Sequence, residues 1–463
     1  YIRIVNLQSI KMAQKPSIPK GTRDFSPAVM LKRHYLMGII KEVFQTFGFL
    51  PIETPSMENL STLMGKYGEE GDRLIFKILN SGDYLKKVDV SSDFDARKLT
   101  QKISEKALRY DLTVPFARYV VQNQNEITLP FKRYQIQPVW RADRPQKGRF
   151  REFFQCDADV VGSPSLLYEV ELIQLYDTVF TKLNLPAVIK LNNRKVLSGI
   201  AEVIDEADKL IDITVAIDKL DKIGLVKVKE EMLSKGVSEA AIEKLEPILN
   251  MSGDPTQKLE TIREVLAPSK IGIEGVDEIQ EVFDKISFLG LDTAELDFDL
   301  TLARGLNYYT GSIFEVEAKG VQMGSIGGGG RYDDLTGIFG LKDVSGVGIS
   351  FGLDRIYLVL QELNLFPSNK TESTKVLFTN FGNEESLYCL KAITLLRSKS
   401  IAAELYPDSV KLKKQMVYCN KRGIPYVVMV GASEIAQNNY LFKDMASGEQ
   451  QLLSLEQLAE KVS

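Results

Sequence analysis

The densest group of chemically active side chains lies in residues 131–160. Two alternating apolar and polar runs, 131–140 and 150–160, predict antiparallel strands, and the polar residues 141–149 between them predict a loop. Five basic side chains crowd this region: Arg141, Arg144, Lys147, Arg149 and Arg151. Such a cluster repels itself unless an anion binds among it, and guanidinium groups match phosphate oxygens. The alternative is a hairpin whose basic tip is only solvated.

The second predicted strand favours the anion site. Phe153, Gln155, Asp157 and Asp159 occur at every second position, so they share one face of the strand. An aromatic ring, an amide and two carboxylates on one face form a polar floor, not part of a hydrophobic core.

Length and composition restrict the class of protein. The chain has 463 residues and a net charge of -4, so any contact with RNA must come from local basic patches. Three distant cysteines, Cys156, Cys389 and Cys419, fit neither a disulfide framework nor a zinc site, and they suit a reducing cytoplasm. His34 is the one histidine of the sequence, and its isolation excludes Ser-His-Asp chemistry. No apolar run reaches the roughly 18 residues of a membrane span.

Residues 140–160, WRADRPQKGRFREFFQCDADV, resemble motif 2 of class II aminoacyl-tRNA synthetases, and most specifically that of the histidyl-tRNA synthetase family. ARGLNYYTG at 303–311 and the glycine-rich GGGGRYDD at 327–334 are similar to two signatures of the same family. A glycine run lets backbone approach a ligand closely, although a flexible turn is the alternative. The strand and helix at 344–358 resemble motif 3.

The helix that begins at Ser26-Pro27 and the extended segment that ends at Pro55 resemble motif 1, the dimer-interface element of class II synthetases. Farther along, the pattern predicts strands at 74–79 and 107–114, joined by an exposed loop at 81–106. Asp111 either caps the next helix or, by the resemblance, binds an ammonium group.

The resemblance implies an α+β catalytic domain with an antiparallel sheet flanked by helices, a helical insertion and a C-terminal α/β anticodon-binding domain. The expected division is a leader at 1–11 outside the fold, a first catalytic part at 12–191, a mostly helical insertion at 192–290, a second catalytic part at 291–366 and an anticodon-binding domain at 373–463. In the last domain, strands at 376–381, 401–406 and 425–430 alternate with helices, which predicts a parallel sheet.

The implied activity is that of a histidine–tRNA ligase, which activates L-histidine with ATP to histidyl-adenylate and transfers it to the 3′ end of tRNA(His). Because the attacking carboxylate is already a nucleophile, this reaction needs positive charge and in-line geometry and no general base. By resemblance, the catalytic residues are Arg141 and Arg304, and the ATP-binding residues are Arg141, Asp143, Arg149, Phe153 and Arg355. The implied histidine-binding residues are Asp111, Leu112, Thr113, Arg141, Gln155, Asp159, Arg304, Tyr308, Tyr309 and Tyr332.

Arg144 and Gln146 are the implied contacts to the tRNA acceptor end. Mg²⁺ would bind with ATP and be held mainly by its phosphates, and the expected assembly is a cytoplasmic homodimer with no membrane contact. The chain departs from the family at Asn307, where aspartate is usual, and at Asp159, where many members have glutamate.

Three alternatives remain: a silent paralogue such as the regulatory subunit of the histidine-biosynthetic phosphoribosyltransferase, a binding module without activity, and a prolyl or threonyl synthetase. The retained arginines and C-terminal unit oppose the first two, and the two family signatures oppose the third.

Overall fold

The computed structural model describes residues 15–89, 95–217, 219–251, 253–303, 305, 309–367 and 374–463. These residues form two compact units, one of residues up to 25 together with 33–366, and one of residues 26–32 together with 367–463. The expected leader at 1–11 lies outside the described residues, as do Arg304, Asn307 and Tyr308.

An eight-stranded sheet is the centre of the first unit. Its strands are β1 (Leu50–Pro51), β5 (Phe131–Trp140), β6 (Glu152–Val161), β7 (Ala187–Asn193), β8 (Ala294–Phe298), β9 (Ser312–Ala318), β10 (Gly327–Tyr332) and β11 (Gly346–Gly352). Their order across the sheet is β1-β5-β6-β11-β10-β9-β7-β8. Neighbours are antiparallel except β1 with β5 and β7 with β8. The predicted hairpin of β5 and β6 is therefore confirmed, with β6 starting at Glu152.

Helices cover one face of this sheet. The helices up to residue 366 are α1 (Pro27–Thr46), α2 (Leu60–Leu63), α3 (Gly68–Leu74), α4 (Ala96–Ile103), α5 (Thr113–Gln122), α6 (Leu167–Lys182), α7 (Arg194–Val203), α8 (Leu210–Ile217), α9 (Leu220–Ile223), α10 (Leu225–Ser234), α11 (Glu239–Leu249), α12 (Pro255–Val265), α13 (Lys270–Leu289) and α14 (Leu353–Glu362). Phe351 of β11 packs against Phe44 of α1 and Tyr176 of α6, with ring centroids 5.9 Å and 4.7 Å away. Side chains alternate along a strand, so the neighbouring Ser350 faces the opposite side of the sheet.

A second, three-stranded sheet has the order β2-β4-β3 and comprises β2 (Met57–Asn59), β3 (Lys77–Ile78) and β4 (Lys106–Leu108). The predicted strands at 74–79 and 107–114 are thus too long, and 113–122 is helical. The reason is a cap, because the Asp111 carboxylate accepts a hydrogen bond from the Val114 N–H at 3.2 Å. The predicted loop at 81–106 contains α4, which Asp95 caps through the Lys98 N–H at 3.0 Å.

Only helices, including a short 3-10 helix at Ala207–Lys209, occur between β7 and β8 among the described residues. Two glycines let α7 and α13 pack closely, since a Cβ atom on Gly199 would lie 2.4 Å from the Cα of Gly272. The helical texture predicted for 192–290 is therefore present.

The second unit contains a five-stranded sheet of β12 (Val376–Phe378), β13 (Ala403–Leu405), β14 (Tyr426–Met429), β15 (Tyr440–Asp444) and β16 (Gln450–Leu453), in the order β13-β12-β14-β15-β16. Its helices are α15 (Asn383–Ser398), α16 (Leu412–Arg422), α17 (Ala432–Ala436) and α18 (Leu455–Lys461). The three predicted strands are parallel, as expected, but β14, β15 and β16 are antiparallel, so the prediction of a parallel sheet is only partly right.

A buried ion pair joins α6 to β10. Nε and Nη2 of Arg331 each donate to a carboxylate oxygen of Glu169 at 2.6 Å, and the Glu169 side chain is inaccessible to solvent. Burial raises the pKa of Glu169, and the hydrogen bonds from Arg331 oppose that rise. Removal of either partner would therefore leave the other side chain buried without its counter-charge.

Replacing Glu169 with Gln should destabilise the first unit by about 3–5 kcal/mol, because it leaves a buried guanidinium without its counter-charge. Urea unfolding followed by fluorescence of Trp140, the one tryptophan, would measure the change. Glu42→Gln is the control, since Glu42 forms an exposed pair with Lys182 and should leave the midpoint nearly unchanged. Equal effects of the two substitutions would contradict this assignment.

Candidate active site

The floor of the site is the open face of β6. Asp157 pairs in register with Gln135 of β5 and Ser350 of β11, while Asp159 pairs with Arg133 and Gly348. A Cβ atom on Gly348 would lie 2.0 Å from a carboxylate oxygen of Asp159. Glycine at position 348 therefore leaves the space that this carboxylate occupies above the sheet.

A cavity of about 530 Å³ opens over this floor. We name it the acidic cavity after its three carboxylates, Asp111, Asp157 and Asp159. It brings together seven of the predicted site residues: Asp111, Thr113, Arg141, Gln155, Asp159, Tyr309 and Tyr332. Lys66, Tyr67 and Asp157 also line it, and the sequence analysis named none of them as a site residue.

Each carboxylate of the acidic cavity is buried, and burial raises all three pKa values. For Asp157 the pKa rises to about 7, although the nearby Arg133 opposes the shift. A guanidinium nitrogen of Arg133 lies 2.8 Å from a carboxylate oxygen of Asp159, and Arg133 itself is fully buried. The buried Arg133 therefore acts on both acids of the floor.

Two tyrosines donate hydrogen bonds to two of these carboxylates. The Tyr67 hydroxyl donates to Asp111 at 2.9 Å, and the Tyr332 hydroxyl donates to Asp159 at 2.5 Å. Asp111 also accepts from the Val114 N–H, so it caps α5 while it lines the cavity. The two interpretations of Asp111 that the sequence left open are compatible.

A second cavity of about 580 Å³ adjoins the first. We name it the arginine cavity after Arg141, Arg149 and Arg355, which line it together with Asp143 and Phe153. Glycine backbone forms part of its wall, because Gly328 and Gly329 of β10 line both cavities. The glycine-rich block is thus a strand and not a flexible turn.

The loop between β5 and β6 is fastened to α14. Nε of Arg355 donates to the Gly148 carbonyl at 2.9 Å, and Nη1 donates to the Ser325 carbonyl at 2.6 Å. Gly148 has a φ of +71°, which glycine adopts without the cost that a side chain brings. Arg149, next in the chain, forms an ion pair with Asp143 at 3.0 Å.

Arg141 lines both cavities. Its Nε donates to the Tyr110 carbonyl at 3.1 Å, and its guanidinium carbon lies 4.1 Å from the centre of the Tyr110 ring. Within the described part of the chain, this is the one hydrogen bond that its guanidinium makes, so the terminal nitrogens remain for a ligand.

Asp354 fixes the orientation of α14. One of its oxygens accepts from Arg23 and Arg33 at 2.5 Å each, and the other accepts from the Phe154 N–H at 3.0 Å. Sequence reasoning missed this residue because its partners lie 200 to 331 positions away. No local pattern links an acid in one helix to such distant arginines.

The structure does not bring every predicted residue to the cavities. Leu112 is buried and lines neither cavity, and the exposed side chains of Arg144 and Gln146 also lie outside both linings. Arg304 and Tyr308 fall outside the described residues. No group of three or more His, Cys, Asp or Glu side chains suited to a metal ion occurs in the described ranges. None of the described helices is long and apolar enough to span a membrane.

Comparisons with known proteins agree with this geometry. A family model described as histidyl-tRNA synthetase matches residues 81–356, and one described as anticodon binding domain matches residues 375–463. A histidine–tRNA ligase of Christiangramia forsetii is 66% identical over 452 residues, which cover 97% of this chain and 99% of that protein.

Solved structures share the fold. The crystal structure of histidyl-tRNA synthetase from Nostoc sp. PCC 7120 superposes with a TM-score of 0.82 at 32% identity, covering 96% of this chain and 98% of that one. A Bacillus halodurans structure titled as an ATP phosphoribosyltransferase regulatory subunit/histidyl-tRNA synthetase has a TM-score of 0.71 at 18% identity, covers 91% of this chain and 100% of that one, and shows the fold alone. With two thirds of its residues identical to those of a histidine–tRNA ligase along nearly its whole length, the chain belongs to the histidyl-tRNA synthetase family of class II aminoacyl-tRNA synthetases.

Proposed function

We propose that the chain joins L-histidine to ATP, forming histidyl-adenylate and diphosphate, and then transfers the histidyl group to the 3′ end of tRNA(His). The observation that carries the proposal is the position of Arg141 in the wall shared by the acidic and arginine cavities. In the first step the histidine carboxylate attacks the α-phosphate, so both anions must meet at one cation.

The acidic cavity holds the amino acid. The histidine ammonium binds near Asp111, Thr113 and Gln155, because a buried carboxylate and neutral acceptors suit a cationic donor. Leu112 contributes through its backbone, since its side chain is buried. The imidazole lies toward the other end of the floor, where Asp159 is bonded to Tyr332 and Tyr309 closes the wall.

The arginine cavity holds ATP. Phe153 and Arg355 enclose the adenine, and Arg149, ion-paired with Asp143, reaches the outer phosphates. The catalytic role of Arg304, which the family resemblance implies, remains part of the proposal. Magnesium bound with ATP would neutralise charge on the phosphates, and ATP itself would hold it more than this chain does.

The tRNA contacts lie outside the two cavities. Arg144 and Gln146 are exposed on the loop next to the arginine cavity, where an acceptor end can reach them. In the second unit, α16 and its ends expose four lysines, Lys411, Lys413, Lys414 and Lys421, which suit the phosphates of an anticodon arm. We assign recognition of tRNA to these two surfaces.

The proposal includes a homodimer in the cytoplasm. The motif 1 resemblance supports the dimer, since α1 leads into β1 at the edge of the main sheet, where Leu50 is exposed. All three cysteines are free and buried, which suits a reducing compartment.

Arg141→Ala should lower histidine-dependent ATP–diphosphate exchange by about 100- to 1,000-fold, because it removes the cation that both reacting groups share. Exchange would be measured with each amino acid, and histidine alone should support it in the wild type. Arg263→Ala provides a matched control, since Arg263 lies in an exposed ion pair with Asp277 and should not alter exchange. Wild-type exchange in Arg141→Ala, or exchange with proline or threonine in place of histidine, would refute the proposal.

Joint substitution of Arg144 and Gln146 by alanine should separate the two steps. Neither side chain lines a cavity, so histidine-dependent exchange should stay close to wild type while transfer to tRNA(His) falls at least tenfold. Single-turnover transfer from preformed adenylate would measure the second step alone. A proportional loss in both steps would place these residues in activation instead.

A further inference from the structure

Asp157 has no assigned role, yet it lines the acidic cavity. It lies between Gln155 and Asp159 on one face of β6, and alternate residues of a strand are about 6.7 Å apart. The residue is 2% exposed, and its Oδ1 has no hydrogen-bond partner in the described part of the chain. Buried carboxylate oxygens are normally satisfied, so an unpartnered one on a residue that lines a cavity indicates a ligand.

The charges around Asp157 determine its protonation. The titratable or charged groups that act on it come from several elements: Arg109 after β4, Asp111 before α5, Arg133 on β5, Asp159 on β6, Tyr176 on α6 and Tyr309 before β9. Burial is the largest influence and raises its pKa to about 7, Arg133 opposes the rise and Asp159 adds to it, and the Ser350 hydroxyl donates to it. Burial and the neighbouring carboxylate of Asp159 therefore both favour the neutral form of Asp157 near neutral pH.

The neighbours of the two carboxylates indicate which one keeps the proton. Asp159 receives the Tyr332 hydroxyl at 2.5 Å and has the Arg133 guanidinium at 2.8 Å, and both favour its ionised form. Arg109, whose charge interacts with that of Asp157, donates instead to the carbonyls of Thr54 and Pro138 at 2.7 and 2.8 Å. These contacts favour ionisation of Asp159 over ionisation of Asp157.

We infer that Asp157 determines specificity for histidine: its protonated carboxyl donates a hydrogen bond to the bare ring nitrogen of neutral imidazole, while ionised Asp159 accepts from the ring N–H. This inference rests on the function proposed above and names a contact beyond it. Neutral imidazole carries one donor and one acceptor on its two ring nitrogens, and one protonated and one ionised carboxyl offer the complementary set. An apolar side chain would leave both groups unpaired, which hydrogen-bonding sites penalise strongly.

A pH dependence follows. Above about pH 7 the empty cavity loses the Asp157 proton, so histidine binding must take up one proton and its KM rises by up to tenfold per pH unit. Below about pH 6.5 free histidine protonates its own ring, which also raises KM. Histidine affinity should therefore be highest near neutrality, whereas the KM for ATP should show no matching limb.

The decisive variant is Asp157→Asn, because the amide has nearly the same shape and donates a hydrogen bond at every pH without titrating. Calorimetry of histidine binding at about pH 8, in two buffers of different ionisation enthalpy, should show uptake of about one proton by the wild type and none by Asp157→Asn. In the wild type the histidine KM, and not kcat, should rise at alkaline pH, and this rise should disappear in the variant. Absence of proton uptake by the wild type, or an unchanged alkaline limb in the variant, would overturn the inference.

A second variant tests the contact itself. Asp157→Ala removes the group that faces one ring nitrogen, so it should improve kcat/KM at least tenfold, relative to histidine, for one of the two ring-N-methyl histidines and not the other. Asp277→Ala, on an exposed ion pair, is the control and should leave both ratios unchanged. If neither isomer gains, Asp157 does not contact the ring.

The outcomes separate this inference from the proposed function. A wild-type protein without histidine-dependent exchange would refute the function. Histidine-dependent exchange without proton uptake would refute the role of Asp157 alone.

Discussion

The buried guanidinium of Arg133 makes the floor of the acidic cavity possible. It is fully buried, lies 2.8 Å from Asp159 and stacks over the Phe116 ring at 4.2 Å. Two adjacent buried carboxylates without a cation would be costly, and so would the cation without them. Arg133 and Asp159 are direct partners across β5 and β6, so a slip of one residue would place them on opposite faces. The ion pair thus fixes the register of the hairpin and the charge of the site together.

The same arrangement recurs around the cavities. Asp354 receives two arginines and a backbone N–H, and Glu169 receives both nitrogens of the Arg331 fork. Both acids are buried on helices, while Phe153, next to Phe154, and Tyr332, next to Arg331, line the two cavities. Arg355 follows Asp354 in the chain and donates to the loop that carries Arg149. The pairs of Asp354 and Glu169 therefore hold the cavity walls with side chains to which the proposed function gives no contact with substrate.

The sequence could predict the parts of the site that are local. Alternation along β6 was enough to predict a polar floor, and the loop composition predicted the cluster of Arg141 and Arg149. The long-range partners could not be predicted, because nothing in the neighbourhood of Asp354 or Tyr67 indicates which distant residue meets it. The strand predicted at 107–114 was wrong for a local reason, since β-favouring residues follow Asp111 but its carboxylate caps a helix. The hydrogen bond to the Asp111 side chain therefore outweighs the β-strand propensity of the several residues that follow it.

The opposite charges of the two cavities also explain how specificity and chemistry can share one wall. An amino acid carries a cation and an anion on one carbon, so under the proposed function the carboxylates of the first cavity would attract its ammonium while Arg141 would attract its carboxylate. That orientation directs the carboxylate toward the arginine cavity, where ATP would bind, and the reverse orientation would place like charges together. An interaction that selects the substrate therefore also sets the direction of attack, and a general base adds nothing to a nucleophile that arrives ionised.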